Sequence, residues 1–221
     1  MTLKLKHPIN LHKATTPLFV VALMWLYQNF TLAAWVYLVL HGTYGVLWLF
    51  KDRLFPDRQW EQEISIPMGI VTFGFLGLYW VAPLLLISQG TVPSLWLVSL
   101  AIFVNIVGVF LHYASDAQKH FTLKYRSGLI TEGFFARCRN PNYLGEILIY
   151  GSFALLTQHW LPFLILAVFV GGIFVPNMLK KDRSLSRYPE FAEYRQRSGL
   201  LFPKLWVANA PNPGHLSSKE L

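Results

Sequence analysis

The chain alternates between long apolar runs and short polar segments, and this pattern predicts a bundle of membrane-spanning helices. Six runs are long enough, or nearly so, to cross the roughly 30 Å apolar core of a bilayer as helices. They occupy residues 15–28, 31–50, 66–87, 95–113, 141–157 and 161–178. The first and fifth runs are short, and tilting or partial crossing would accommodate them. We therefore predict an all-α, polytopic membrane protein with about six transmembrane helices, in which residues 1–221 form one integral membrane domain.

The distribution of cations orients this bundle. All 19 Lys and Arg residues lie in four segments, with 3 in residues 1–14, 3 in 51–65, 5 in 114–140 and 8 from residue 179 onward. The three remaining turns carry none. Because cytosolic loops of membrane proteins are enriched in Lys and Arg, six crossings place these four segments and both termini in the cytosol. The same rule accounts for the formal net charge of +8, so we expect membrane lipids and not nucleic acid as partners.

Composition limits the chemistry further. The chain is 54% hydrophobic and only 14% charged, whereas soluble domains contain about 25% charged residues. The single cysteine, Cys138, excludes an internal disulfide and a cysteine-based metal site. The seven histidines are dispersed, so no metal site is predicted, and no glycine-rich nucleotide motif is present. Any nucleotide would therefore be held by helix ends and cytosolic loops.

The start of the fifth run carries the most informative polar residues. Asn140 followed by Pro141 is typical of a helix start, because Asn is a favoured N-cap and Pro fits the first helical position. From there Tyr143, Glu146 and Tyr150 share one helix face. A carboxylate one turn inside an apolar segment is costly unless it faces a partner, a cavity or a ligand. Glu146 is therefore a candidate functional residue.

Two arginines, Arg137 and Arg139, directly precede this helix. A helix N-terminus flanked by guanidinium groups can bind a phosphate or a carboxylate. The alternative is that both arginines contact lipid headgroups and set the topology.

Two other predicted helices carry polar faces. On the fourth, residues at steps of three or four form a polar stripe that faces either a water-filled cavity or a neighbouring helix. The stripe consists of Asn105, Gly108, His112, Ser115, Asp116 and Lys119. On the second, His41 shares a face with Tyr44, and it is either a buried structural donor or a donor to substrate with Tyr44 as its partner.

Three ordered motifs resemble the C-terminal half of the steroid 5-alpha-reductase family, above all its bacterial members of unknown substrate. They are SDAQKHF at 115–121, GLITEGFFARCRNPNYLGE at 128–146 and KDRSLSRYPEFAEYRQRSGLLFP at 181–203. The resemblance covers roughly residues 100–205. The same core is similar to that of sterol C14 reductases and, more distantly, to isoprenylcysteine carboxyl methyltransferases and phospholipid methyltransferases.

The resemblance implies that NADPH binds in a cytosol-facing cavity among the last helices, with Glu146 near the nicotinamide. It makes residues 100–205 the cofactor-binding core and leaves 206–221 as a polar, flexible tail. The residues predicted to bind cofactor are Asn105, His112, Asp116, Lys119, Arg137, Arg139, Asn142, Tyr143, Glu146, Asp182, Tyr188, Tyr194 and Arg195.

Two departures separate the chain from the methyltransferases. Those enzymes usually have Arg-His-Pro where this chain has Arg139, Asn140 and Pro141. They also usually have a Glu-Glu pair after the last span, where this chain has Lys180, Lys181 and Asp182. We therefore expect an NADPH-dependent reductase, an oxidoreductase acting on CH–CH groups.

Its substrate would be a lipophilic steroid-, isoprenoid- or lipid-like molecule that enters from the bilayer, and its candidate catalytic residues are His41, Tyr44 and Glu146. The alternatives are an S-adenosylmethionine-dependent methyltransferase acting on a lipid or prenylated substrate, and a non-catalytic membrane scaffold.

Overall fold

The computed structural model describes residues 1–206, which form nine α-helices and one two-stranded sheet. The helices are α1 (Lys6–Leu26), α2 (Leu32–Leu54), α3 (Ile66–Leu76), α4 (Val81–Ser88), α5 (Leu95–Tyr125), α6 (Pro141–Thr157), α7 (Trp160–Phe169), α8 (Val175–Leu185) and α9 (Phe191–Arg197). The strands are β1 (Thr2–Lys4) and β2 (Glu63–Ser65). A 3₁₀ turn (Gly77–Trp80) joins α3 to α4, and a π-helical turn (Val170–Phe174) joins α7 to α8. Apart from Trp206, the predicted tail lies outside the described residues.

Five helical stretches of the described chain are long and apolar enough to cross a membrane. They are Lys6–Leu26, Leu32–Leu54, Ile66–Ser88, Leu95–Tyr125 and Trp160–Leu185. The sixth helix, α6, has 17 residues and spans about 25 Å at 1.5 Å per residue. The predicted class, an all-α polytopic membrane protein, is confirmed.

Helix α6 runs antiparallel to α5 through the centre of the bundle. Asn105 Nδ2 donates a hydrogen bond to Ser152 Oγ over 2.9 Å. Two helical turns later on α5, His112 Nδ1 lies 3.1 Å from the carbonyl oxygen of Asn142. Later residues of α5 thus meet earlier residues of α6. The chain returns along α6 to the end of the bundle from which α5 started.

The cation-rich segments meet at one end of the bundle. The N-terminal segment joins the segment after α2 through the β1–β2 pair, in which Leu3 opposes Ile64. That segment contacts the end of α5 where Lys119 Nζ lies 3.0 Å from Asp57 Oδ2. Turns without cations meet at the other end, where Asn29 Nδ2 donates to the carbonyl oxygen of Ile87 over 2.8 Å.

The first helix begins at Lys6, nine residues before the predicted run, so the predicted start was wrong. One face of the early part of α1 is buried, although His7, Leu11 and Ala14 are exposed. Asn10 Nδ2 donates to Asp52 Oδ2 over 2.9 Å, and the Lys13 side chain is 3% exposed. Hydrophobicity alone could not locate this start, because the helix satisfies its polar groups within the protein.

The end of α5 was also predicted too early. The helix continues to Tyr125, twelve residues past the apolar run. Its polar stripe keeps the helical spacing beyond the apolar run and packs Asp116 against α2, where Lys51 Nζ donates to Asp116 Oδ2. A contact with another helix therefore extends α5 where apolar burial ends.

The close approach of α5 and α6 depends on two glycines, Gly108 and Gly145. A Cβ atom added at Gly108 would lie 2.7 Å from the carbonyl oxygen of Gly145, and one added at Gly145 would lie 2.5 Å from the backbone nitrogen of His112. Both distances are below those that real Cβ atoms show. Small residues at such crossings let helix backbones pack closely in membranes.

We predict that Gly145→Ala separates α5 from α6 and lowers the melting temperature in detergent, because overpacking costs about 1–3 kcal/mol. Gly74→Ala in α3 is the matched control, since no atom lies within 4 Å of the added methyl group. Thermal unfolding followed by size-exclusion recovery measures both variants. Equal melting temperatures for the two variants would contradict the tight crossing.

Candidate functional site

Two adjoining cavities open among α1, α2, α5, α6 and α8 at the cation-rich end. The outer cavity has a volume of about 430 Å³ and the inner cavity about 330 Å³. Residues that line both are Asp57, Gln59, Asn142, Tyr143 and Asn177. Because one set of residues borders both spaces, the two cavities are direct neighbours and we treat them as two parts of one candidate site.

Cations dominate the wall of the outer cavity. Its charged lining residues are Lys119, Arg139, Lys180, Lys181 and Asp57. Lys119 contacts Asp57, and Lys181 Nζ donates to the carbonyl oxygen of Arg139 over 2.7 Å. Lys180 is exposed at the rim. The outer cavity therefore favours an anionic ligand.

The guanidinium group of Arg139 is engaged within the protein. Nε donates to Asp182 Oδ1 over 3.0 Å, and the Nη1 group donates to the carbonyl oxygen of Ser198 over 2.5 Å. Tyr194 secures the same region by donating to the carbonyl oxygen of Phe135 over 2.7 Å. These contacts fasten the segment after α8 to the start of α6.

Asn140 occupies the N-cap position of α6 without a side-chain cap. Its Nδ2 donates to the carbonyl oxygen of Leu200 over 2.8 Å, and its Oδ1 accepts from Lys181 Nζ over 3.1 Å. The side chain therefore links α6, α8 and the end of the described chain. The first backbone N–H groups of α6 consequently have no cap from Asn140.

The inner cavity combines an apolar wall with buried charges. Ile9, Val71, Phe75, Phe169 and Phe174 are among its apolar residues, and they come from α1, α3, α7 and the π-helical turn. Its polar lining residues include Lys13, Lys51, His112, Asp116, Glu146 and Tyr150. π-Helical turns occur frequently at functional sites, and this one borders the cavity.

A buried ion pair forms part of the wall of the inner cavity. Lys51 Nζ donates to Asp116 Oδ2, and both side chains are at most 6% exposed. The second carboxylate oxygen, Oδ1, accepts no hydrogen bond from any group in residues 1–206. A buried carboxylate oxygen without a donor is costly, so this atom is a position for a ligand donor.

His112 offers a second free acceptor next to Asp116. Its Nδ1 lies 3.1 Å from the carbonyl oxygen of Asn142. Because a carbonyl oxygen only accepts, Nδ1 carries the proton and Nε2 is left as an acceptor. Within the described chain, Nε2 has no hydrogen-bond partner.

Glu146 lines the inner cavity one turn into α6 and is partly exposed to it. No donor in residues 1–206 makes a hydrogen bond to its carboxylate. Together with Asp116 Oδ1 and His112 Nε2, it gives the inner cavity three acceptor positions close to the outer cavity.

The predicted site residues divide by location. Those that line one or both cavities are His112, Asp116, Lys119, Arg139, Asn142, Tyr143, Glu146 and Tyr194. Those that line neither are His41, Tyr44, Asn105, Arg137, Asp182, Tyr188 and Arg195.

The two catalytic candidates on α2 lie deeper in the core. His41 is fully buried, stacks on Phe153 at 4.3 Å between ring centroids, and has Nδ1 3.1 Å from the Tyr37 hydroxyl. Tyr44 is also fully buried, with its ring 4.1 Å from Lys13 Nζ.

Sequence reasoning missed the contribution of the N-terminal half. Lys13, Trp48 and Lys51 line the inner cavity, whereas the sequence placed them in the N-terminal cationic segment, the second apolar run and the cationic segment after it. A signal was present, since Asn10 and Lys13 are one helical turn apart and would share a face if α1 began earlier.

These features define a membrane-embedded helical protein with a basic outer cavity and an apolar, charge-bearing inner cavity. Residues 51–198 match the family described as "Protein of unknown function (DUF1295)", and the chain belongs to this family. The family is related to steroid 5-alpha-reductase-like proteins, so the resemblance seen in the sequence holds at this coarser level.

Two curated relatives are similar over part of their length. The cobalt-zinc-cadmium resistance protein CzcN of Cupriavidus metallidurans is 29% identical over 161 residues, which cover 72% of this chain and 61% of the relative. An uncharacterized protein of Schizosaccharomyces pombe is 31% identical over 107 residues, 44% of this chain and 37% of the relative. The match thus spans less than two thirds of either relative. Within residues 1–206, no group of three or more His, Cys, Asp or Glu side chains is arranged to hold a metal ion.

We predict that Lys51→Met lowers the free energy of unfolding by about 3–5 kcal/mol, because it leaves the buried Asp116 carboxylate without its partner. The double variant Lys51→Met/Asp116→Leu should recover most of this loss. Unfolding in mixed micelles titrated with SDS measures both, with Lys124→Met at the exposed end of α5 as the control. Equal losses in the single and double variants would show that the pair is not coupled.

Proposed function

We propose that this protein is a membrane-embedded, NADPH-dependent reductase of a carbon–carbon double bond conjugated to a carbonyl group in a lipophilic substrate. The observation that carries the proposal is that a cation-lined outer cavity adjoins an apolar inner cavity that contains free acceptor atoms. NADPH is a polyanion with a carboxamide donor at its reactive end, and the two cavities suit these two ends.

The side chains present fit this cofactor. In the outer cavity, Lys119, Lys180 and Lys181 would attract its phosphate groups, as charge-assisted contacts do elsewhere. In the inner cavity, Glu146 and Asp116 Oδ1 would accept hydrogen bonds from N–H and O–H groups. When bound, NADPH would supply the hydride that is added to the double bond.

A lipophilic substrate has a route to the inner cavity from the bilayer. Val71 and Phe75 of α3 line this cavity, and they are 62% and 37% exposed. The same residues thus border both the cavity and the lipid-facing surface. We infer that substrate enters beside α3, whereas cofactor enters through the basic outer cavity.

The alternative is a methyltransferase that uses S-adenosylmethionine. The acceptors Asp116 Oδ1 and Glu146 could also bind the ammonium group of that cofactor. Its sulfonium charge, however, suits the cation-rich outer cavity less well. The reductase is therefore the better supported of the two, and the non-catalytic scaffold leaves the free acceptors without a role.

We also propose that the cation-rich end faces the cytosol, as the charge distribution favours. A cysteine introduced at Ser186 should then react with a membrane-impermeant maleimide only from the cytosolic side, and one at Gln89 only from the opposite side. Both positions are exposed. Burial raises the pKa of the native Cys138 thiol, so this residue should stay unlabelled in the folded protein. Labelling of both sites from one side would contradict six crossings.

We predict that Glu146→Gln keeps the fold but weakens NADPH binding about ten- to hundredfold, because loss of a charge-assisted hydrogen bond costs roughly 1.5–3 kcal/mol. NADPH affinity and melting temperature are measured on the same detergent preparation. Glu190→Gln, at an exposed acid outside both cavities, should leave both values unchanged.

Three outcomes separate the candidates. NADPH binding that falls with added salt and depends on Glu146 supports the reductase. Binding of S-adenosylmethionine without NADPH would favour the methyltransferase. An unchanged affinity with a large loss of melting temperature would make Glu146 a structural acid.

A further inference from the structure

A lysine and a tyrosine from opposite halves of the chain meet in the inner cavity. Lys13 Nζ of α1 donates a hydrogen bond to Tyr150 Oη of α6 over 2.7 Å. Their residues are 3% and 4% exposed, and both side chains line the cavity. Neither residue belongs to the candidate sets derived from sequence.

The pair is held rigidly by aromatic rings. The Tyr150 ring stacks on Tyr79 at 3.6 Å between centroids, and Lys13 Nζ lies 4.1 Å above the centre of the Tyr44 ring. A cation over an aromatic face is stabilised by the ring quadrupole. These contacts fix where the ammonium group and the phenol point.

Both Lys13 and Tyr150 have hydrogen-bond donors left for a ligand. A lysine ammonium group has three N–H donors and no acceptor, and Tyr150 Oη is its one hydrogen-bond acceptor within residues 1–206. Because the ammonium only donates, the phenol proton of Tyr150 must be directed away from Lys13. The cavity therefore contains donors that suit an oxygen atom of a ligand.

We propose that Tyr150 binds and protonates the carbonyl oxygen of the substrate, and that Lys13 positions and polarises Tyr150 for this step. The inference rests on the proposed reductase function and assigns the proton donor for that reaction. It moves the polar catalytic group from His41 and Tyr44 to a residue that borders the cavity.

The proposed reaction transfers one hydride and one proton, and Tyr150 supplies the proton. The hydride that NADPH would supply, leaving NADP⁺, would form a C–H bond at the β-carbon while the π electrons of the double bond shift toward the carbonyl group. The developing oxyanion takes the phenol proton of Tyr150, which gives an enol and a phenolate. Lys13 stabilises the phenolate, a proton taken up from solvent restores the phenol, and the enol returns to the saturated carbonyl compound. A donor aimed at a developing oxyanion contributes about 10²–10³ in rate.

The test uses the protein in nanodiscs with NADPH and two lipophilic α,β-unsaturated carbonyl compounds, the enone progesterone and the enal citral. Tyr150→Phe should lower kcat by about 10²–10³ while KM and NADPH affinity change less than about threefold. Lys13→Met should lower kcat by a similar factor, and Lys13→Arg, which keeps a cationic donor, should restore activity to within about tenfold of the wild type. Tyr113→Phe is the matched control, because its phenol donates to the Tyr44 carbonyl oxygen outside the cavity lining.

A second readout needs neither cofactor nor turnover. The probe is 2-naphthol, a fluorescent aromatic alcohol small enough for a 330 Å³ cavity and similar in shape to a dienol. Its affinity for the cofactor-free protein should fall about tenfold in Tyr150→Phe, the loss of roughly one hydrogen bond, and not in Tyr113→Phe. Its emission should shift from the ionised toward the neutral form in Lys13→Met, because the nearby cation favours the naphtholate.

The outcomes distinguish this inference from the proposed function. If the wild type binds NADPH and reduces an enone but Tyr150→Phe behaves like Tyr113→Phe, the pair is not catalytic and the reductase stands. Failure of the wild type to bind 2-naphthol at millimolar concentration also overturns the oxygen-binding role. If the wild type does not bind NADPH, the proposed function fails and this step fails with it.

Discussion

The structure depends on the close antiparallel contact between α5 and α6. The two backbones approach at Gly108 and Gly145 to distances that exclude any side chain. This contact brings His112 against the start of α6, where it reaches the carbonyl oxygen of Asn142. Asp116 and Glu146, each about one turn further along its helix, then border the same cavity. A wider crossing would separate these acids and leave the space between them open to lipid.

Buried charge is the second constraint, and it explains why the N-terminal helices are needed. Charged side chains within a membrane protein require partners or a wet cavity. Asp116 forms an ion pair with Lys51 of α2, and Tyr150 accepts a hydrogen bond from Lys13 of α1. The acids and phenols of the C-terminal half are thus matched by cations of the N-terminal half. The inner cavity exists only when both halves are packed together.

Local sequence patterns predicted part of the fold and of the candidate site. The bounds of α6 follow from Asn140, Pro141 and the length of one apolar run, and the shared face of Tyr143, Glu146 and Tyr150 follows from helical spacing; both are confirmed. Pairing across the chain was not predictable, because no local pattern shows that Arg139 binds Asp182 or that β1 pairs with β2. The early start of α1 was hidden for the same reason.

The residues of the proposed site extend beyond the region that matches the family. The additional residues bear on which substrate the site would accept. Residues 51–198 belong to the family match, and they supply the outer cavity, Glu146 and Tyr150. Ile9 and Lys13 of α1 precede that region but line the inner cavity. Motif residues such as Arg139, Asp182 and Tyr194 hold the chain after α8 against α6. Similarity in the matched region therefore reflects the frame of the site, whereas α1 supplies part of the surface that a substrate would meet. Under the proposed function, proteins that share this frame but differ in α1 would present a different surface to the substrate.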